Sequence, residues 1–286
     1  VVAVFVDHHP DRLLCEVLPG DGLVDRTSFG VSTGESASSP GQPLFFGEPG
    51  QGQTDRAPKS HLRLRYQSMA STLLLGSTGL IGRALRDLLL AHSPFHPLTA
   101  LVRRPSGLSH PHLVEIVSNF ADLDALPPPV TLFCSLGTTL KAAGSPEAFR
   151  RIDYEIPLRL AQWARRHGAQ HLLLVSSIGA DPHSSNLYLR VKGELERDLT
   201  ALHFPSLDIF QPSVLLGPRP ALRPAEWISQ RVLKALPFLL PGPLRPYRAT
   251  PAATVAAAMA AAARSPLPGL RRHRYDEILN LAARAT

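Results

Sequence analysis

The chain of 286 residues is predicted to fold as α/β, with a doubly wound parallel sheet, and three observations lead there. From Ser71 onward, short apolar runs alternate with amphipathic stretches, the signature of successive βαβ units. Six such runs occur at a spacing that leaves room for a helix between most of them. The first run passes directly into a helical pattern through a turn holding three glycines, Gly76, Gly79 and Gly82.

The strands are expected near 72–75, 98–102, 113–117, 130–135, 171–176 and 207–211. Helices are expected between them near 80–91, 147–167 and 188–202. After Gly217 come a helix near 224–236, a proline-rich crossing, an alanine-rich helix near 252–263 and a short end around 275–283, giving the sheet a small C-terminal helical segment. No internal repeat of solenoid length is visible.

Residues 1–68 read differently. They are rich in Gly, Ser and Pro, sustain no period, and cannot bury enough apolar surface to offset their ordering entropy. They are expected to be a disordered extension, or upstream translation ahead of a start at Met69, with the domain running over 69–286. The opening "VVAVFV" is too short for a signal peptide's apolar core and has no basic segment before it.

Apolar residues make up 44% and charged residues 19% of the chain, the balance of a globular protein. The longest apolar stretch, "VLKALPFLLPGPL", is interrupted by Pro237 and Pro241, so no membrane span is expected. Cys15 and Cys134 are the two cysteines, which excludes a disulfide framework and fits a cytoplasmic location. The formal charge of +7 invites a nucleic-acid reading, but its distribution argues against one. Residues 1–68 hold 8 acids and 6 bases, and the remainder holds 24 bases against 15 acids. Those bases are scattered in pairs, without a long basic run or an aromatic platform. A domain with an anionic cofactor accounts for them better, and no metal is expected.

In "STLLLGSTGLIGRALRDLLL" the glycines follow a G-x-x-G-x-x-G spacing at a strand–turn–helix corner. Glycine there allows a tight turn and close backbone approach, and the helix N-terminus offers unpaired N–H groups to a pyrophosphate. Gly76, Ser77, Thr78, Gly79, Leu80, Ile81 and Gly82 are therefore the expected cofactor cradle. The blander reading, a glycine set used for helix packing, loses ground because the turn is the first βα junction of the pattern.

The second strand ends in Arg103 and Arg104, where an NAD-selective site usually presents an acid to the adenosine ribose. A carboxylate would repel a 2′-phosphate, whereas two guanidiniums clamp it, so NADP(H) is the expected cofactor. Phe120 and Asp122 are expected beside the adenine. Leu136, Gly137 and Thr138, at the end of the fourth strand, are expected along the ligand crevice. Cys134 reads as a small core residue rather than a nucleophile.

The fifth strand runs into Ser176 and Ser177, which point to opposite faces, so one of them faces the crevice. Tyr188 and Lys192 lie one turn apart on a single face of the next helix. Hydride arriving at a carbonyl carbon leaves charge on oxygen and requires a proton donor within hydrogen-bond reach. A phenol with an ordinary pKa of about 10 serves the reverse reaction poorly unless a nearby ammonium stabilises its anion. The Tyr-x-x-x-Lys spacing alone fits a packed tyrosine and a solvated lysine equally well; the glycine turn and the strand-end serines favour the catalytic reading.

These residues resemble the short-chain dehydrogenase/reductases, and within them the atypical branch of Tat-interacting-protein-like oxidoreductases. The likeness covers nearly all of 72–283 and rests on "LLLGSTGLIGRAL", "LVRRP", "FCSLGTTLKAAGSPEAFRRIDYEIPLRLA", "HLLLVSSIGADPHSSNLYLRVKGELE", "IFQPSVLLGPRP", "RPAEWISQRVLKALP" and "YRATPAATVAAAM". The resemblance implies a Rossmann-type domain that binds NADPH. Tyr188 would be proton donor or acceptor, Lys192 would assist it, and Ser177, or its neighbour Ser176, would polarise the carbonyl.

On this reading the chain is an NADPH-dependent reductase of a small carbonyl compound. Residues 217–250 and the C-terminus form its substrate lobe, and Trp227, Leu236, Phe238 and Tyr247 line the pocket or pack the C-terminal helices. The alternative is an NADPH-binding redox sensor or scaffold with little turnover that reports to a protein partner. The sequence does not distinguish a monomer from a homo-oligomer.

Overall fold

Neighbouring strand residues point to opposite faces of a sheet, so a strand covered by helices on both sides must be apolar at every position. The computed structural model, which describes residues 2–4, 15–17, 71–120, 122–217 and 242–285, has this arrangement. Its strands are β1 (Val2–Val4), β2 (Cys15–Val17), β3 (Thr72–Leu75), β4 (Leu98–Val102), β5 (Leu113–Val117), β6 (Thr131–Cys134), β7 (His171–Val175), β8 (Ser206–Phe210), β9 (Leu215–Leu216), β10 (Thr250–Pro251) and β11 (Gly269–His273). Seven of them form a parallel sheet in the order β11-β8-β7-β6-β3-β4-β5, and β1 and β2 continue it beyond β5. The 1–68 stretch thus contributes two three-residue strands, paired antiparallel with each other; the rest of it lies outside the described residues, as does the expected helix at 224–236.

Helices α1 (Leu80–Ala91), α6 (Ala252–Arg264) and α7 (Tyr275–Ala282) cover one face. There Leu74, Phe133, Leu173 and Phe210 meet Leu85, Leu89, Val255, Met259 and Ile278. The alanines of α6 leave room for α1 to pack closely beside it. The other face is covered by α4 (Ile156–Arg166) and α5 (Leu187–Thr200). There Leu73, Leu75, Cys134, Leu172, Leu174 and Ile209 meet Leu160, Trp163, Leu195 and Leu199.

The chain winds outward from β3 to β5, then returns to lay β6 on the other side of β3. The two halves of the sheet therefore part between β3 and β6, and in such sheets ligands bind in the crevice beyond the strand ends at that point.

Two features depart from the expected pattern. The helix expected over 147–167 is three pieces: α3 (Pro146–Arg150), a π-turn over Arg151–Glu155, and α4. Pro157 has no N–H to give the carbonyl of Asp153, and the Ile156 N–H bonds instead to Arg151, five residues back. The short α2 (Leu140–Ala143) precedes these pieces. The second departure is β11, an edge strand with arginines on both faces and no apolar signal. Arg271 and His273 turn one way onto Asp208, and Arg272 turns the other way onto Glu196.

Candidate active site

Gly76, which ends β3, has φ +91°, and a Cβ there would lie 2.6 Å from the backbone nitrogen of Leu136 on the neighbouring β6 side. At Gly82, in the first turn of α1, a Cβ would lie 1.9 Å from the Gly76 carbonyl oxygen. The two glycines thus let the helix close onto the strand end. The Gly79 N–H donates to the Gly76 carbonyl at 3.0 Å, and the Ser135 hydroxyl donates to Leu75 O at 3.1 Å. Gly79 stands at the cap position, so no side chain caps α1, and its first turn carries no acid. Among the described residues nothing compensates the first-turn amides or the positive end of the helix dipole. Ser77 is buried and its Oγ finds no partner among the described residues, while Thr78 is exposed and Leu80 half-buried at the turn.

Arg103 and Arg104 follow β4, the strand beside β3; both are exposed, and neither has a hydrogen-bond or ion-pair partner among the described residues. Phe120, expected at the adenine, is instead 8% exposed and belongs to the core beneath α4 and α5. Its ring is apolar enough to be drawn into that core, and its φ of +64° turns the chain there. Asp122 stays exposed at the surface.

On the other side of β3, Asn186 caps α5, its Oδ1 accepting from the Tyr188 and Leu189 amides at 2.9 and 3.3 Å. The helix therefore starts at Leu187, which puts Tyr188 in the first turn and Lys192 one turn further in. Tyr188 is half-buried against Phe149, with ring centroids 5.8 Å apart. The Lys192 side chain is 5% exposed, and its Nζ stands 2.8 Å from Oδ1 of Asp153, which is fully buried. The other oxygen, Asp153 Oδ2, accepts the Thr138 N–H at 2.8 Å. Gly137 roofs the pair: a Cβ there would lie 3.3 Å from Asp153 Oδ1 and 3.5 Å from Lys192 Nζ.

Asp153 thus ties the lysine to the β6 end loop of Leu136, Gly137 and Thr138. It sits in the π-turn and was not among the expected site residues. The signal was an acid on the apolar stripe of a helix, four residues after Phe149 and seven before Leu160.

Burial is the largest influence on the Lys192 ammonium and pulls its pKa down. The Asp153 carboxylate and the Tyr188 phenol outweigh it, and the pKa lies above the ordinary lysine value. The lysine is therefore charged throughout the physiological range. Burial pushes the Cys134 thiol up to about 11 against the pull of Lys192. A neutral thiol 3% exposed is a core group, as the sequence suggested.

Of the two serines, Ser176 is buried and its Oγ has no partner among the described residues. Ser177 is half-buried and its Oγ makes one long bond, 3.3 Å, to the Ile178 carbonyl. Ser177 is thus the less buried of the two. Of the expected pocket lining, Tyr247 is 53% exposed, and Trp227, Leu236 and Phe238 lie outside the described residues.

Along the carboxyl edge, the ends of β7, β6, β3 and β4 follow one another, carrying in turn Ser177, Gly137, Gly76 and Arg103. Three strand spacings of about 4.8 Å make this row about 14 Å long. One elongated ligand can lie across all four.

The model of the NAD dependent epimerase/dehydratase family matches residues 72–190. Among curated proteins the chain is similar to Protein HTATIP2 of Rattus norvegicus, with 36% identity over 174 residues, 58% of this chain and 72% of that protein. It is also similar to Protein FMP52-1, mitochondrial, of Scheffersomyces stipitis, with 36% identity over 157 residues, 52% of this chain and 69% of that protein. Two solved structures share the fold. MoeE5 in complex with UDP-glucuronic acid and NAD has a TM-score of 0.55 and 20% identity over 76% of this chain and 82% of its own. A short-chain dehydrogenase/reductase superfamily protein from Agrobacterium tumefaciens with bound NAD has a TM-score of 0.53 and 16% identity over 72% and 78%. Among the described residues no helix is long and apolar enough to cross a membrane. The parallel sheet with its glycine-lined first turn and the match to most of HTATIP2 agree: the chain belongs to the Tat-interacting-protein-like short-chain dehydrogenase/reductases.

Proposed function

We propose that the chain is an NADP(H)-dependent oxidoreductase that reduces a small carbonyl compound, with Tyr188, Lys192 and Ser177 as its working groups. The observation that carries this reading is the buried Lys192–Asp153 pair, which fixes an ammonium one helical turn from Tyr188, beside the β6 loop that meets the glycine turn.

Features of the chain itself fit a bound dinucleotide. The cradle at Gly76 and Gly82 is one that any Cβ would fill, the first turn of α1 is uncapped, and Ser77 Oγ lacks a partner. The amides of residues 77–82 other than that of Gly79, which is bonded to Gly76, would take the pyrophosphate, and Leu136, Gly137 and Thr138 would flank the ribose beyond it. Arg103 and Arg104 would grip a 2′-phosphate, the basis for preferring NADP(H) over the NAD held by the structural neighbours. When bound, the nicotinamide supplies the hydride.

The chain's own residues supply the rest. The Ser177 hydroxyl donates to the carbonyl oxygen and orients it. The Tyr188 O–H gives that oxygen its proton as charge develops, completing the alcohol. Lys192, held charged by Asp153, stabilises the phenolate left behind until solvent returns the proton. Ser176, being buried, orients no substrate in this scheme. The cytoplasmic location expected from the cysteine count stands as a proposal beside fungal relatives whose names say mitochondrial, and imaging of the tagged native protein decides it.

Replacing Tyr188 with Phe tests the reading. Turnover of a carbonyl panel should fall at least about a hundredfold, while NADPH affinity stays within about twofold. Undiminished turnover removes Tyr188 from the mechanism. NADPH binding without turnover of any carbonyl points instead to the sensor or scaffold.

A further inference from the structure

A second site lies on the outer side of α5, independent of the reading above. A cavity of about 460 Å³ opens between this helix, the loop that leads into it, and the end of β11. That volume lies within the usual range for small-molecule pockets. The helix residues that line it, Gly193, Glu196, Arg197 and Thr200, follow a spacing of three and four and share one face. That face is turned roughly 100° about the helix axis from the one carrying Tyr188 and Lys192, so the cavity is separate from the cofactor crevice.

Its floor is a buried polar pair. Gln211 Nε2 donates to both oxygens of Glu196, at 2.9 and 3.0 Å, and both residues are 4% exposed. This pair holds two arginines in place. Arg272 Nε donates to Glu196 Oε2 at 3.3 Å, and Arg274 Nε donates to Gln211 Oε1 at 3.4 Å. Each guanidinium is thus anchored at Nε, and its two terminal nitrogens have no partner among the described residues. Arg272 and Arg274 are two residues apart and face the cavity together, whereas Arg271 and His273 face the opposite way, onto Asp208. Arg197 adds a third cation at the rim, partly engaged by Asp198. Ala180 and Pro182 add a small apolar part to the lining.

We infer that this cavity binds a small organic molecule bearing a dianionic oxyanion, a phosphomonoester in particular, with the phosphate on Arg272 and Arg274 and the organic part against Ala180 and Pro182. Two anchored guanidiniums presenting paired N–H groups match phosphate oxygens better than a single lysine would. Glu196 carries one negative charge, which Arg272 offsets, and Arg274 and Arg197 leave the lining net positive toward an anion.

The test is calorimetric titration of the full chain with phenyl phosphate, inorganic phosphate and benzoate. Saturable one-to-one binding of phenyl phosphate is expected, at least fivefold tighter than inorganic phosphate and at least tenfold tighter than benzoate. Arg274→Ala leaves the α7 start intact, because the bond to Glu277 comes from the Arg274 backbone N–H. It should weaken phenyl phosphate at least tenfold, and Arg272→Lys, which keeps a cation for Glu196, at least threefold. The double variant Arg103→Ala/Arg104→Ala should leave this affinity unchanged. Absence of saturable binding, indifference to Arg274→Ala, or equal loss in the Arg103/Arg104 variant overturns the assignment. Equal affinity for phenyl phosphate and inorganic phosphate overturns the organic part of it.

Discussion

Replacing Asp153 with Asn should cost stability in a way that depends on pH, because the change strands a buried ammonium. Lys192 and Asp153 are 5% and 0% exposed and 2.8 Å apart, so solvent screens them little. Coulomb attraction at that distance and an effective dielectric constant of about 20 amounts to about 6 kcal/mol. Breaking a buried pair by removing one member costs about 3 to 5 kcal/mol. Asparagine keeps an acceptor for the Thr138 N–H, so the loss is confined to the charge. In the wild type the lysine pKa is raised on folding, so its contribution is complete below the unfolded value of about 10.4 and is lost as pH rises through the folded value. In the variant, burial dominates and the folded lysine prefers to be neutral, so stability rises with pH toward about 10. Urea unfolding at a series of pH values should show a deficit of about 3 to 5 kcal/mol near neutrality that narrows toward about pH 10. A deficit below about 1 kcal/mol, or one constant with pH, refutes the reasoning.

Gly82→Ala should destabilise the domain by about 1 to 3 kcal/mol and weaken NADPH at least tenfold, since its Cβ would press on a backbone oxygen 1.9 Å away; unfolding and fluorescence titration measure both. Arg103→Ala/Arg104→Ala should weaken NADPH at least fivefold and leave NADH unchanged, and equal losses for both nucleotides would argue against a 2′-phosphate clamp. At Asp208, burial opposes ionisation, but bonds from His171, His273 and Arg271 overcome it and hold the carboxyl well below its usual value. That contribution is present above the unfolded pKa of about 3.9 and is lost as pH falls below it. The stability gap between wild type and Asp208→Asn should therefore narrow steadily as pH falls from about 4, and a gap that stays constant down to about pH 2 contradicts the assignment.

Six of the seven parallel strands, the first glycine turn and the Tyr188–Lys192 helix were legible because each leaves a local mark. A strand buried on both faces is a continuous apolar run, a strand–helix closure demands glycine, and a helix aligns residues four apart. What escaped was set by contacts distant in sequence. β11 is polar because its arginines and histidine satisfy Asp208 and Glu196, more than 60 residues away. Asp153 reads as an ordinary helical acid until Lys192, 39 positions later, is brought against it. The burial of Phe120 was not legible because an aromatic near a nucleotide crevice and an aromatic in the core look alike in sequence. Two adjacent serines look alike in sequence, and their burial, Ser176 buried and Ser177 half-buried, is set by the strand's packing.

A crystal structure of the chain with NADP bound would test most directly whether one crevice joins the glycine turn to Tyr188. The pyrophosphate should rest on the amides of residues 77–82 other than that of Gly79, the 2′-phosphate beside Arg103 and Arg104, and the nicotinamide ribose within hydrogen-bond reach of Tyr188 and Lys192. A dinucleotide bound away from the β3–β6 junction, or one whose nicotinamide end points away from α5, would contradict the account.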